Sequence, residues 1–469
     1  MPVKLPAPIR YALPGSCGLG ELGWMRNIGG IGLVILLVVA ATWPSHSHAA
    51  PDDARAIVAR ARQAGLRVLE GRRLTLVTDR PARAGDGVED LPRIFDEAFA
   101  VWCRHFAVAA DSLPDWHAIG CLMVDAERFR TAGLLPDSLP RFVNGFCADD
   151  RFWLLDQSNP AYRRHLLLHE GVHAFTLTVR RLATPPWYTE GIAEYLATHR
   201  LEKGAEGRER FVSTPLPDRP DDVPQLGRIE KIRGLRATGD EPSLAAVLAT
   251  PAGDHHDIAA YAASWAATAF LARHPRYAAG FATVERGPLD TAFNDRLPTI
   301  PGWDAATAAR DFDAFTADLD YGYDLDRCAI DWSAGRTPGL RETIAVDATR
   351  GWQNSGLALA RGSRHALEVT GRFRIGELPA GDSAAPTILE SEADGISLRW
   401  YRGRPLGRLL AAQWIEQPER GRPRFEILAE GSRADFTAVA DGPLYFKINE
   451  SPGDLGDNAG SLTVDLSPR

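Results

Sequence analysis

Apolar positions from Asp52 to about Ala64 recur at helical spacing, and Pro51 with two acidic residues suits the first turn of a helix there. Arg73-Leu74-Thr75-Leu76-Val77-Thr78 alternates polar and apolar, which predicts a half-buried strand. Leu91 to Phe106 reads as an amphipathic helix opened after Asp90, and His117 to Val124 as a second strand. Phe152-Trp153-Leu154-Leu155 predicts a third, ended by Ser158-Asn159-Pro160. Proline suits a first helical turn, so a helix should run from Pro160 to about Arg181 and stop before Pro185-Pro186. From Glu190 to about Asp318 the signals are mostly helical, broken by a Pro/Asp-rich loop near residues 215–224.

The pattern changes after Asp331. Ser333 to Gly339 reads as a linker, followed by short apolar runs closed by Gly, Asp or Asn, the pattern of a β-sandwich. The expected organisation is an α+β domain over 51–332, a linker over 333–339 and an all-β sandwich over 340–469. No internal repeat of fixed period is visible.

A length of 469 residues suits two or three domains, and 45% hydrophobic with 24% charged residues is a folded composition. A net charge of −8 without a basic cluster excludes a nucleic-acid footprint and leaves peptides, proteins or glycans as partners. Residues 1–50 read as a leader. Met25-Arg26-Asn27 precedes an uncharged run from Ile28 to Trp43, and Ser47-His48-Ala49 places small residues at a cleavage site. That run is shorter than the roughly 20 apolar residues of a spanning helix, so export to the periplasm or beyond is expected. Membrane attachment follows only if the leader is kept. Residues 1–24 fit no part of such a signal, which makes Met25 an alternative start. Cys103, Cys121, Cys147 and Cys328 follow the leader, an even number open to disulfides or to buried thiols.

The chemistry concentrates in Arg164-His165-Leu166-Leu167-Leu168-His169-Glu170-Gly171-Val172-His173. On a helix, His169 and His173 lie one turn apart on one face and can share a zinc ion, with Glu170 beside the open position. Two histidines could also simply pack in a core. A second helix follows in Pro185-Pro186-Trp187-Tyr188-Thr189-Glu190-Gly191-Ile192-Ala193-Glu194-Tyr195, and it can supply a third, carboxylate ligand.

This stretch resembles the gluzincins, zinc peptidases whose HExxH helix is followed by a helix of W-x-x-E-G-x-A-x-Y type. The resemblance implies a zincin-like α+β domain with His169, His173 and Glu190 on zinc, Glu190 standing 17 residues after His173. It also implies Glu170 as general base. Glu194 competes with Glu190 for the metal, or else supports a ligand by hydrogen bonding. A metzincin would need Gly and His where Thr176 and Val179 stand. Tyr261-Ala262-Ala263-Ser264-Trp265-Ala266 resembles the Y-x-x-G-F-A helix of gluzincin aminopeptidases, with Ser264 replacing the usual glycine. By that match Tyr261 would face the scissile carbonyl as an oxyanion donor; a buried structural tyrosine is the other reading. The similarity covers roughly residues 150–275, and it implies that Phe152 to Leu155 is the edge strand that pairs with substrate. His165 is expected to pack or hydrogen-bond, and His255 and His256 to be solvated loop residues.

Tyr445 to Leu462 resembles the calcium loop of the galactose-binding PA-IL-like lectins, and Gly351 to Leu357 and Thr370-Gly371-Arg372 resemble the sandwich of that family. The match implies calcium held by Glu450, Asp454, Asp457 and Asn458, completed by a carbohydrate ligand. Glu450 is a methylene longer than the usual Asp, and Asp454 stands where a lectin has Thr. The competing reading is an acidic turn between strands.

Three functions are compatible: an exported zinc metallopeptidase, a catalytically silent surface-binding protein, or a zinc amidase acting on cell-wall or glycan amides. Intact Glu170 argues against the second, and the lack of a GxMEN stretch favours endopeptidase action.

Overall fold

Strand Leu74–Thr78 is buried at every position, against the expectation of a half-buried strand, because it lies inside a sheet covered on both faces. Its polar members are accommodated by hydrogen bonds, Thr75 Oγ1 meeting His117 Nε2 at 2.8 Å. The computed structural model describes residues 51–469 except 84, 205–206, 225, 252–256, 379–386 and 418–420, with backbone alone for 51–53. The leader 1–50, His255 and His256 lie outside the described residues.

The first region is mixed α+β. In chain order it comprises α1 (Pro51–Gln63), β1 (Arg67–Glu70), β2 (Leu74–Thr78), α2 (Leu91–His105), β3 (Ala118–Met123), α3 (Ala126–Thr131), β4 (Gly145–Ala148), β5 (Arg151–Leu155), α4 (Pro160–Val179) and α5 (Pro186–Ala197). The sheet order is β1-β2-β3-β5-β4. Strands β2, β3 and β5 are parallel, while β1 and β4 are antiparallel to their neighbours. Phe152 and Leu154 face one core with α2 and α4, whereas Trp153 faces the other with Ile57 of α1 and Phe129 of α3. β5 is therefore an interior strand. The edge on that side is β4, a correction to the expectation that Phe152 to Leu155 would be free to pair with substrate.

A hairpin of β6 (His199–Lys203) and β7 (Glu209–Ser213) interrupts the stretch expected to be helical. Gly207, at φ +74°, supplies the turn conformation that other residues resist, and Phe211 stacks on His199 at 5.1 Å between centroids. Helices α6 (Arg228–Thr238), α7 (Leu244–Leu248) and α8 (Ile258–Arg273) follow, then Ala278–Arg286 and Ala305–Asp318.

The second region is β-rich: β8 (Glu342–Asp347), β9 (Gln353–Leu359), β10 (Arg364–Thr370), β11 (Phe373–Leu378), β12 (Thr387–Ser391), β13 (Asp394–Tyr401), β14 (Arg404–Ile415), β15 (Arg424–Glu430), β16 (Arg433–Thr437), β17 (Gly442–Ile448) and β18 (Ala459–Pro468). One sheet runs β12-β11-β18-β10-β16 with β8 on β18; the other runs β13-β14-β17-β9 with β15 on β14. Leu367 and Val464 of the first meet Leu409 and Phe446 of the second in a common core.

The described residues from Pro51 to Arg469 fall in one compact unit. The two regions join through charged groups: Lys447 Nζ lies 2.7 Å from Asp318 Oδ2, and Arg422 Nη2 2.5 Å from Asp313 Oδ1. The loop after β17 docks on the first region as well. Asp324 N donates to Pro452 O at 3.2 Å, and a Cβ on Gly453 would stand 2.4 Å from Tyr321 O, so only glycine fits that approach. Among the described residues no helix is long and apolar enough to cross a membrane. Cys103, Cys121, Cys147 and Cys328 are free thiols.

Candidate metal centre

The start of α4 is fixed by Asn159, whose Oδ1 accepts from the amides of Ala161 at 2.8 Å and Tyr162 at 3.0 Å. Arg163 Nε, paired to Asp156 Oδ1 at 2.5 Å, ties the first turn to the end of β5. From there His165, His169 and His173 rise along one face at four-residue intervals. Gly171 lets this helix sit close to α2, since a Cβ there would stand 2.4 Å from the Phe95 ring.

α5 is anchored by hydrogen bonds from its first turn. Trp187 Nε1 donates to Asn294 Oδ1 at 2.9 Å, and Tyr188 Oη to Glu285 Oε1 at 3.0 Å. Glu190 and Glu194, one turn apart, then meet the histidine face of α4. Gly191 permits close contact with α8, because a Cβ would stand 2.2 Å from Thr268 Oγ1.

Glu190 Oε2 lies 3.3 Å from His169 Nε2 and 3.5 Å from His173 Nε2, and the two nitrogens are 3.1 Å apart. Donors about 2.0–2.1 Å from a tetrahedral zinc ion would be separated by about 3.3 Å. Glu190 Oε2 is buried and makes no hydrogen bond of acceptable geometry despite its two imidazole neighbours. An acceptor in that state costs free energy unless something positive fills the space between it and the rings. The residues fit a divalent cation.

A second group, His165, His169 and Glu194, also brings ligand atoms within 4.8 Å of one another. Its charge is already matched. Arg228, at the start of α6, grips Glu194 with Nη2–Oε1 at 2.7 Å and Nε–Oε2 at 2.9 Å, and that cation would repel another. Glu194 instead reaches His169 Nδ1 and His165 Nε2, each at 3.3 Å, which orients the first imidazole from behind. Burial opposes ionisation of Glu194, but Arg228 and His165 outweigh it and hold the carboxyl well below the usual range. Burial likewise disfavours charge on His169, but Glu190 and Glu194 prevail and raise it to about 10.

Glu170 is 6% exposed and packs against the edge strand, where a Cβ on Gly145 would stand 2.4 Å from its Oε1. Burial raises its carboxyl above the ordinary value. Tyr261, near the start of α8, meets His169 edge-on at 6.0 Å between centroids, and Arg228 lies 5.6 Å over its ring. Burial and the neighbouring Glu190, Glu170 and Glu194 push its phenol upward.

His169, Glu170, His173, Glu190 and Tyr261 thus come together in one place. Glu450, Asp454 and Asp457 form no group of three with ligand atoms within 4.8 Å of one another. Asn458 Nδ2 donates to Glu450 Oε2 at 2.5 Å and to Ala348 O at 2.9 Å, so that pair acts as a buried clamp on the loop. Spacing gave no sign of Gly145 or Arg228. Gly145 sits in a short strand of weak pattern, and Arg228 reaches Glu194 across 34 residues of sequence.

No protein-family model matches the chain, and no curated protein does. Among solved structures, "EclA N-terminal domain; PllA-like lectin" aligns at 20% identity over 27% of this chain and 95% of that one, with TM-score 0.19. PliG, a periplasmic inhibitor of g-type lysozyme from Aeromonas hydrophila, aligns at 7% identity over 30% of this chain and 96% of its own, with TM-score 0.16. IMPa from Pseudomonas aeruginosa, solved in complex with an O-glycopeptide, aligns at 18% identity over 55% of this chain but 25% of its own, with TM-score 0.15. TM-scores this low establish no common fold.

Proposed function

We propose that the chain is an exported zinc-dependent hydrolase of peptide bonds, with the metal held by His169, His173 and Glu190. The observation that carries this reading is the triangle of donor atoms, 3.1, 3.3 and 3.5 Å on its sides, around a buried oxygen without a hydrogen-bond partner. The gluzincin resemblance supports the peptidase class, and the leader-like segment 1–50 supports export.

Bound zinc supplies a Lewis acid and a water whose pKa falls toward neutrality. Glu170, next in sequence to a ligand and braced on Gly145, takes the proton of the attacking water and delivers it to the leaving amine. Tyr261 donates to the oxygen that gains charge. The outer edge of β4 pairs with no other strand among the described residues, and its free amides and carbonyls suit an extended peptide.

Metal analysis of the protein lacking residues 1–50, paired with digestion of a peptide library, tests this. One zinc per chain is expected, lost in His169→Ala. Glu170→Gln should keep the zinc and lose hydrolysis. A metal-free wild type, or full cleavage by Glu170→Gln, overturns the proposal. Cleavage of peptidoglycan fragments but no peptide would assign the amidase reading instead.

A further inference from the structure

Where the helical region meets the β-rich one, side chains of both line a cleft of about 230 Å3. Trp332, from the connecting segment, and Trp414, on β14, stand 5.2 Å apart between ring centroids with their planes at 61°. Tyr445 of β17 is the buried aromatic member, its ring 5.8 Å from Trp332. Arg310 and Glu416 are joined Nε to Oε1 at 2.5 Å, and the guanidinium lies 5.2 Å over the Trp332 ring. Asp441 adds an exposed carboxylate.

The rings are held in place before any ligand arrives. Trp332 Nε1 donates to Asp311 Oδ1 at 2.7 Å, which fixes that indole. Trp414 Nε1 is buried with no hydrogen-bond partner, and that indole is held by edge-on packing against Trp332 and Phe425, the latter at 5.0 Å between centroids.

The chemistry narrows the ligand. One guanidinium beside two carboxylates leaves no excess positive charge, so a phosphate or other anion is disfavoured. The volume is below the roughly 300 Å3 at which drug-sized pockets begin, which limits the occupant to about one ring. Trp332 carries the Arg310 guanidinium and stacks on Phe425 at 6.2 Å, so the ring left to meet an apolar C–H surface is that of the half-buried Trp414, while planar carboxylates and a guanidinium can each bridge two adjacent hydroxyls. A pyranose offers both: an apolar ring face and a rim of hydroxyl groups.

We propose that this cleft is a saccharide site that takes the terminal neutral hexose of a glycan. It is separate from the metal centre and stands whether or not the hydrolase reading does. It also differs from the Glu450 to Asn458 loop, whose Pro452 and Gly453 are packed on Tyr321 to Asp324.

The test is binding of the chain lacking its leader to an immobilised array of neutral and acidic glycans. Wild type should be retained by glycans ending in a neutral hexose. Trp414→Ala should abolish retention, and Arg310→Met and Glu416→Gln should each weaken it at least tenfold, while Asp457→Asn binds as wild type. Thermal melts establish that each variant is folded; if Trp414→Ala is not, the two rim variants decide. A blank array, retention of acidic glycans alone, or loss in Asp457→Asn with the cleft variants unaffected overturns the proposal.

Discussion

Glu194 Oε1 stands 3.3 Å from His169 Nδ1, on the side of the imidazole opposite the atoms that converge with Glu190. The same carboxylate is held by Arg228 and touched by His165, so a single acidic group on α5 ties α4 to α6. This arrangement selects the ring orientation that points His169 Nε2 at His173 and Glu190, which is the orientation that the proposed metal would need.

Arg228→Met should therefore damage both fold and site. It leaves the buried Glu194 carboxylate without its cation, a loss typically on the order of 3–5 kcal/mol. Zinc affinity should fall about 10- to 100-fold through the misaligned imidazole. Chemical unfolding and competition against a chelator read the two effects separately. Arg228→Met with Glu194→Gln should cost less stability than the sum of the two changes, because neither charge is then left alone.

Gly145→Ala should separate chemistry from metal binding. The added methyl would stand 2.4 Å from Glu170 Oε1, and the atoms nearest to it all belong to the Glu170 side chain, so that carboxylate must turn away while His169, His173 and Glu190 stay put. Hydrolysis should drop roughly 100-fold, the usual scale for a misplacement near 1 Å, with zinc content unchanged. A normal rate, or loss of the metal, would mean that Glu170 is not braced by the edge strand.

The site was legible where helical spacing dictated it. His169 and His173 must share a face once Pro160 to Val179 is a helix, and Pro160 marks its first turn, while the cap at Asn159 emerges only from the structure. The edge strand was not legible, because Gly145 to Ala148 carries a weak four-residue pattern while Phe152 to Leu155 is strongly apolar. That apolar run marks burial on both faces, which is what an interior strand needs, and only the gluzincin resemblance makes it an edge. Hairpin β6–β7 is not legible because charged residues fall together in its strands, Glu202 with Lys203 and Glu209 with Arg210, and break the alternation that marks a strand. The docking of Pro452 and Gly453 on Tyr321 to Asp324 is tertiary, and no local pattern foretells it.

Gly191→Ala tests how tightly the scaffold is built. The new Cβ would lie 2.2 Å from Thr268 Oγ1 and 2.5 Å from the backbone oxygen of Ser264, and backbone cannot rotate away. Overpacking of this kind costs about 1–3 kcal/mol. Calorimetry should find Tm lowered by several degrees. Activity should fall with it, since Glu190 and Tyr261 sit on the two helices forced apart.

Glu450 gives a pH dependence of definite sign. It is 3% exposed, and burial raises its carboxyl to about 8; Asn458 and Lys447 work against the shift while nearby Asp454 and Asp457 reinforce it. The unfolded chain would lose this proton near 4.5, the ordinary value. Between those limits the native protein binds the extra proton, so stability is full below about 4.5 and declines as pH rises toward 8. Glu450→Gln keeps the shape and the acceptor for Asn458 but cannot ionise, so it should follow wild type at pH 4.5 and exceed it by a few kcal/mol near pH 8. Urea unfolding of both proteins across that range measures the difference directly. Parallel curves would show that the carboxyl is already ionised in the native loop, and that a positive partner rather than a proton sits beside it.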